Sequence, residues 1–200
     1  MVIGENLKTK FALISVFDKR KLNYLCANLS LHEYSFIASG STGKQIRDLG
    51  FNCIDISKIT KSEEMFDGRV KTLNHLIYSS LLYKRNDKKH KRQFNKLNIP
   101  NIDIVVVNFY PFEKYLNKNK NKELLEMIDI GGPTLIRAAS KNYEYITPIV
   151  QIEDYQKLVK NLNKNNGKTD ISFRKKMAYK VFSQTSNYDK IIAKWLHDKK

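Results

Sequence analysis

Apolar residues in this chain come in short, dense runs separated by stretches with helical spacing. Phe11 to Phe17 is almost wholly apolar, as a strand buried on both faces must be. The spacing from Lys19 to Leu29 predicts a helix. Ser35 to Ala38 predicts a second strand, Thr42 to Leu49 a helix that Gly50 terminates, and Phe51 to Ile56 a third strand. Ile102-Asp-Ile-Val-Val-Val-Asn108 carries the strongest central-strand signal, because β-branched residues pack well on a pleated surface. Tyr145 to Val150 predicts another strand, and Pro148 assigns it to an edge or a terminus, since proline cannot donate to a ladder. Strands and helices in this rhythm predict an α/β fold: a single domain with a mostly parallel, Rossmann-like sheet covered by helices on both faces. Ile171 to Trp195 is expected as a helical C-terminal extension, with Phe173, Met177, Val181 and Phe182 on one face. Ser57 to Gly68 is expected as a surface loop with a turn at Asp67-Gly68, and Lys84 to Asn95 and Tyr115 to Lys122 as charged insertions.

Charge changes this picture little. The 200 residues hold 36 basic and 20 acidic side chains, a net charge of +16. Lysine far outnumbers arginine and is scattered, often beside asparagine, as in Lys118-Asn-Lys-Asn-Lys122. A nucleic-acid binder concentrates arginine forks on one stripe, so nucleic acid is not the expected partner. Most of the excess is read as solvated surface, and a few cations are left to attract an anionic small molecule. No apolar run approaches the roughly 18 residues of a membrane span. The Phe11 run is short and lies too close to Asp18 for a signal peptide. Cys26 and Cys53 cannot form a disulfide framework, and no Cys/His spacing suits zinc. A cytoplasmic protein without metal or cofactor is expected.

Ligands of open parallel sheets bind beyond the carboxyl ends of the strands. Four such ends carry polar residues: Ser15, Asp18 and Lys19; Ser39-Gly40-Ser41-Thr42; Asn108 with Tyr110; and Asp129-Ile130-Gly131-Gly132, which opens a helix. In Ser39 to Thr42, small residues, hydroxyls and a helix N-terminus make an anion cradle, although Thr42 equally suits an ordinary N-cap. Asp129 offers a carboxylate base or a turn cap. Tyr110 offers a phenolic donor or a packed ring. Arg69 to Thr72 offers cations or a solvated basic run, and Lys141 sits within a predicted helix.

Taken in order, several segments resemble one family. Leu13-Ile-Ser-Val…Asp18-Lys19, Ala38-Ser-Gly-Ser-Thr42, Asp67-Gly-Arg-Val-Lys-Thr-Leu73, Val107-Asn-Phe-Tyr-Pro-Phe112, Ile128-Asp-Ile-Gly-Gly-Pro133, Arg137-Ala-Ala-Ser-Lys-Asn142 and Ser183-Gln-Thr-Ser-Asn-Tyr-Asp189 are similar to the N-terminal IMP cyclohydrolase domain of the bifunctional purine biosynthesis proteins. That resemblance spans residues 1–200 and implies a methylglyoxal-synthase-like fold. It implies an enzyme that closes the purine ring: the carboxamide nitrogen of a formamido-imidazole ribonucleotide attacks the formyl carbon and water leaves, giving inosine monophosphate. By the same resemblance Ser15, Asp18, Lys19, Ser39, Gly40, Ser41 and Thr42 hold the nucleotide, with Arg69 and Thr72. Asn108, Ile130 and Gly131 lie at the base. Lys71, Tyr110, Asp129 and Lys141 form the catalytic centre, with Asp129 accepting the amide proton and Lys141 protonating the formyl oxygen. No cofactor is implied. The family's formyltransferase domain is absent from these residues, so a formyltransferase domain or protein is the implied source of substrate, and a homodimer is compatible with the resemblance.

The chain departs from the family at three places. Phe17 replaces a serine, and Ser41 replaces a glycine in the phosphate turn. Lys71-Thr-Leu-Asn-His-Leu-Ile-Tyr-Ser-Ser80 stands where the family has Lys-Thr-Leu-His-Pro-x-Ile-His-Gly-Gly. The competing readings are a nucleotide-sensing or decayed module on the same fold, and methylglyoxal synthase itself.

Overall fold

The computed structural model describes residues 10–62, 66, 72–116 and 121–198. Arg69, Lys71 and the Asp67-Gly68 turn therefore lie outside the described residues. The chain runs β1 (Lys10–Val16), α1 (Leu22–Leu31), β2 (Tyr34–Ala38), α2 (Gly40–Asp48), β3 (Cys53–Asp55), α3 (Ile56–Thr60), α4 (His75–Leu82), α5 (Lys88–Asn95) and β4 (Ile102–Asn108). It continues through α6 (Phe112–Tyr115), α7 (Asn121–Glu126), α8 (Gly131–Lys141), β5 (Thr147–Ile149), a 3-10 turn at Ile152–Asp154, α9 (Tyr155–Lys164) and α10 (Ile171–His197).

The five strands form one parallel sheet in the order β3-β2-β1-β4-β5. Alternation along β1 explains its continuous apolar run. Ala12, Ile14 and Val16 face one core with Leu25 and Leu29 of α1 and Leu158 and Leu162 of α9. Leu13 faces the other, with Leu81 of α4 and Leu135 and Ile136 of α8. Each face thus buries its own helical layer, as a parallel sheet requires. β5, carrying Pro148, is an edge strand, as proline demands.

Gly50 stops α2 as expected. Its φ of 86° is the left-handed region, Gly50 N–H bonds Arg47 C=O and Phe51 N–H bonds Ile46 C=O, the paired bonds of a Schellman motif.

Several expectations need correction. The start of the expected Ser57 loop is helical, because the Asp55 carboxylate caps α3 by accepting from Ser57 N–H at 3.0 Å. The charged stretch after Lys84 contains α5, capped by Asp87 through bonds of 2.8 and 2.9 Å and anchored by buried Phe94. The C-terminal helix is present as expected in α10, which over 27 residues lays Met177 in one core, Val181 in the other and Tyr188 in a third cluster with Phe112 and Leu124. Phe182 turns outward instead, under the guanidinium of Arg137, 5.3 Å from its ring centre.

Candidate active site

Strand order reverses between β1 and β4, and beyond their carboxyl ends opens a cleft of about 870 Å³, a volume suited to a small-molecule ligand. Three walls of it follow from local sequence.

The first wall is the N-terminus of α2. Ser39 is the cap residue in extended backbone, with φ of −133°, yet its side chain makes no capping bond. The first backbone N–H groups of a helix have no intrahelical partner, so this end offers donors and a positive dipole to an anion. Ser39, Ser41 and Thr42 line the cleft with Ser15 and Lys19. Thr42 is not the cap: its buried hydroxyl accepts from Val16 N–H at 3.2 Å and donates to Val16 C=O at 3.1 Å, pinning α2 to the end of β1.

The second wall is the N-terminus of α8. Gly132 N–H donates to Asp129 Oδ1 at 2.8 Å. A Cβ at Gly132 would stand 2.4 Å from Asp129 Oδ2, so glycine is what lets the carboxylate fold back on the helix. Asp129 N–H in turn donates to the Tyr188 hydroxyl of α10 at 2.8 Å. Burial pushes the Asp129 carboxyl above its ordinary pKa, and the Gly132 N–H only partly offsets this. Asp129, Ile130, Gly131 and Gly132 all line the cleft, with Ile130 largely exposed.

The third wall joins the ends of β1 and β4. Phe17, Asn108 and Tyr110 line it, together with Thr72 and Leu73. Asn108 spends part of its amide on the main chain. Its Oδ1 accepts from Asp18 N–H at 2.8 Å and its Nδ2 donates to Asp18 C=O at 2.9 Å, tying the two strand ends together. Asp18 does not line the cleft; its carboxylate is gripped by the Arg20 guanidinium, with a closest approach of 2.6 Å.

Lys141 lies apart from the cleft. It ends the helix that Gly131 begins, and ten residues of α-helix place it roughly 15 Å away along the axis. There it lines a separate depression with Lys84, Asn86, Asp87 and Glu144. The expected pairing of Asp129 with Lys141 across one reacting centre is not made within this chain. The altered segment is structural where it is described: Asn74 caps α4 through Leu76 N–H at 2.9 Å, and the Ser80 hydroxyl donates to Pro100 C=O at 2.6 Å. Sequence reasoning missed Tyr188, whose contact with Asp129 spans 59 positions, and it missed Leu125, Glu126 and Ile128 as cleft residues.

An open parallel sheet with a helix N-terminus and a half-buried carboxylate around a cleft at its switch point defines a class of α/β domain. The chain belongs to the MGS-like domain family, which matches residues 21–134. Residues 139–200 match a second family, the AICARFT/IMPCHase bienzyme. Over 94% of its length the chain is 40% identical to the bifunctional purine biosynthesis protein PurH of Magnetococcus marinus and, again over 94%, 43% identical to that of Lactobacillus acidophilus. It spans 36% and 37% of those two relatives, respectively. The crystal structure of ForH superimposes with a TM-score of 0.83 at 28% identity, covering 94% of this chain and 100% of the ForH chain. Among the described residues no helix is long and apolar enough to cross a membrane.

Proposed function

We propose that the chain is an IMP cyclohydrolase, acting in the cytoplasm on the formamido-imidazole-carboxamide ribonucleotide and closing it to inosine monophosphate with loss of water. One observation carries this reading: a single cleft holds both an anion-seeking helix N-terminus and a carboxylate whose pKa is raised by burial. The phosphate would sit on the N–H groups of Ser39 to Thr42 and on the Ser39 and Ser41 hydroxyls, with Lys19 as countercharge. Asp129 would accept the proton that the weakly nucleophilic carboxamide must lose, a task suited to a carboxylate with raised pKa. Tyr110 would donate to the formyl oxygen as charge develops there, and Lys71, next to cleft-lining Thr72, would neutralise it. The formyl oxygen must also be protonated to leave as water, the role that the resemblance gives to Lys141, which stands outside this cleft within the chain. A formyltransferase domain or protein would supply the substrate, in keeping with the bifunctional relatives, and the working form would be a homodimer or a monomer.

The test is to mix the purified chain with the formylated ribonucleotide and follow purine absorbance, measuring inosine monophosphate binding in parallel. Turnover that is lost in Asp129→Asn supports the proposal. Binding without turnover supports a second reading, a nucleotide-binding module that has lost catalysis, which the distance of Lys141 from the cleft favours. Neither binding nor turnover would sink both.

A further inference from the structure

Two aromatic rings meet at the mouth of the cleft without being buried. Phe17 follows β1 and Tyr110 lies two positions past β4; their ring centres are 4.7 Å apart at an interplanar angle of 43°. Both line the cleft, at 39% and 44% exposure respectively. Apolar packing alone does not explain two rings kept this open to water.

Their backbones are held on both sides. The two bonds between Asn108 and the Asp18 main chain fix the end of β4 against the residue after Phe17. On the other side, Phe112 N–H bonds Tyr110 C=O at 2.8 Å around Pro111, whose φ of −77° and ψ of 66° are those of an inverse γ-turn. Phe112 itself is buried. Little is left to move except the Tyr110 ring, and the Phe17 ring occupies one side of it.

Strand order gives the pair a place along the ligand. Reading β2, β1, β4 across the sheet, the cleft offers the Ser39 cradle, then Phe17, then Tyr110. Two strand spacings of about 4.8 Å put the cradle and Tyr110 roughly 10 Å apart, the scale of a nucleoside monophosphate from phosphate to base.

We infer that Phe17 is a positioning and specificity residue: its ring holds that of Tyr110, and the two together form an aromatic wall for the planar base of the ribonucleotide. The inference rests on the ribonucleotide reading above. It concerns a position where the resembling family usually carries serine.

The experiment compares inosine monophosphate with ribose 5-phosphate, which keeps the phosphate and lacks the base. Binding of each is measured by calorimetry to the wild type, Phe17→Ala and Phe17→Tyr, with thermal melts to show that each variant is folded. Phe17→Ala is expected to weaken inosine monophosphate binding about tenfold, as loss of an aromatic contact and its area allows, and to leave ribose 5-phosphate within twofold. Phe17→Tyr is expected to restore wild-type binding. Equal weakening of both ligands, or of neither, overturns the inference while the ribonucleotide reading stands. A wild type that binds ribose 5-phosphate but gains nothing from the base also overturns it. A wild type that binds neither ligand overturns both.

Discussion

Asp129 and Asp154 are two carboxylates drawn away from water, and their surroundings drive them in opposite directions. Asp129 stands at the cleft with one backbone N–H on a carboxylate oxygen, and burial raises its pKa. Asp154, 0% exposed at the foot of α9, is met by Lys157 at 2.7 Å and by Lys180 of α10 at 2.7 Å on both oxygens. Burial is the largest single influence on Asp154 and acts upward, yet the lysine contacts together outweigh it and hold the carboxyl below its ordinary pKa. The difference lies in the partners rather than in the depth. A carboxylate given cations becomes a rivet between elements, and one given a single dipole keeps the raised pKa that suits the reactive role proposed above.

The largest expected effect breaks the reactive member. Asp129→Asn keeps an acceptor for Gly132 N–H but cannot take a proton, so turnover should fall by about 10²–10⁴-fold in steady-state assays. The same change should leave the melting temperature at pH 7 equal or higher. The sign follows from linkage: a carboxyl whose folded pKa is raised makes the native state bind more protons than the unfolded one. Its contribution to stability is therefore lost as pH rises from the ordinary carboxylate range through the raised folded pKa, and the variant should lack that slope.

Asp154→Ala should do the reverse, leaving Lys180 facing a buried gap and costing about 3–5 kcal/mol in denaturant melts, with nucleotide binding per folded molecule unchanged. In the wild type this contribution is full above the unfolded pKa and disappears as pH falls through the lowered folded value. Tyr188→Phe sharpens the contrast more gently. It removes the acceptor of Asp129 N–H and should lower turnover about tenfold, consistent with about 1–3 kcal/mol for a lost partner, with a smaller shift in melting temperature than Asp154→Ala. Lys157→Ala should have the smallest effect, a melting temperature close to wild type, because that lysine is 54% exposed and Lys180 remains on both Asp154 oxygens.

The sheet was legible wherever burial on two faces wrote a continuous apolar run, as in Phe11 to Val16 and Ile102 to Val107. Gly50 and Pro148 were legible because their backbone chemistry admits few places. α5 was not, since Lys-Lys-His-Lys-Arg-Gln-Phe-Asn sets one buried ring among charges and its cap lies in a stretch that reads as a surface run. α9 carries a clear stripe in Tyr155, Leu158, Val159 and Leu162, all buried, and belongs with the helices the alternating pattern should include. At the site, residue types identified the walls of the cleft but not the direction of their side chains. Asn108 and Thr42 have the donors and acceptors of ligand contacts, yet main-chain groups of Asp18 and Val16 reach them first. Lys141 resembles a member of the centre, and the rise of α8 sets it at the far end of the helix from Asp129 within this chain.

The Asn108–Asp18 tie has a consequence for how the protein becomes competent. Its two bonds join residues 90 positions apart and can close only after β1 and β4 have paired in register. Such distant pairings carry a large loop-closure cost and come late when a chain folds. A half-folded chain in which β1 and β4 have not paired lacks this mouth of the cleft, and with it the nucleotide site proposed above. A ligand that recognises it would add its binding energy to the complete fold alone, so occupancy would count finished molecules.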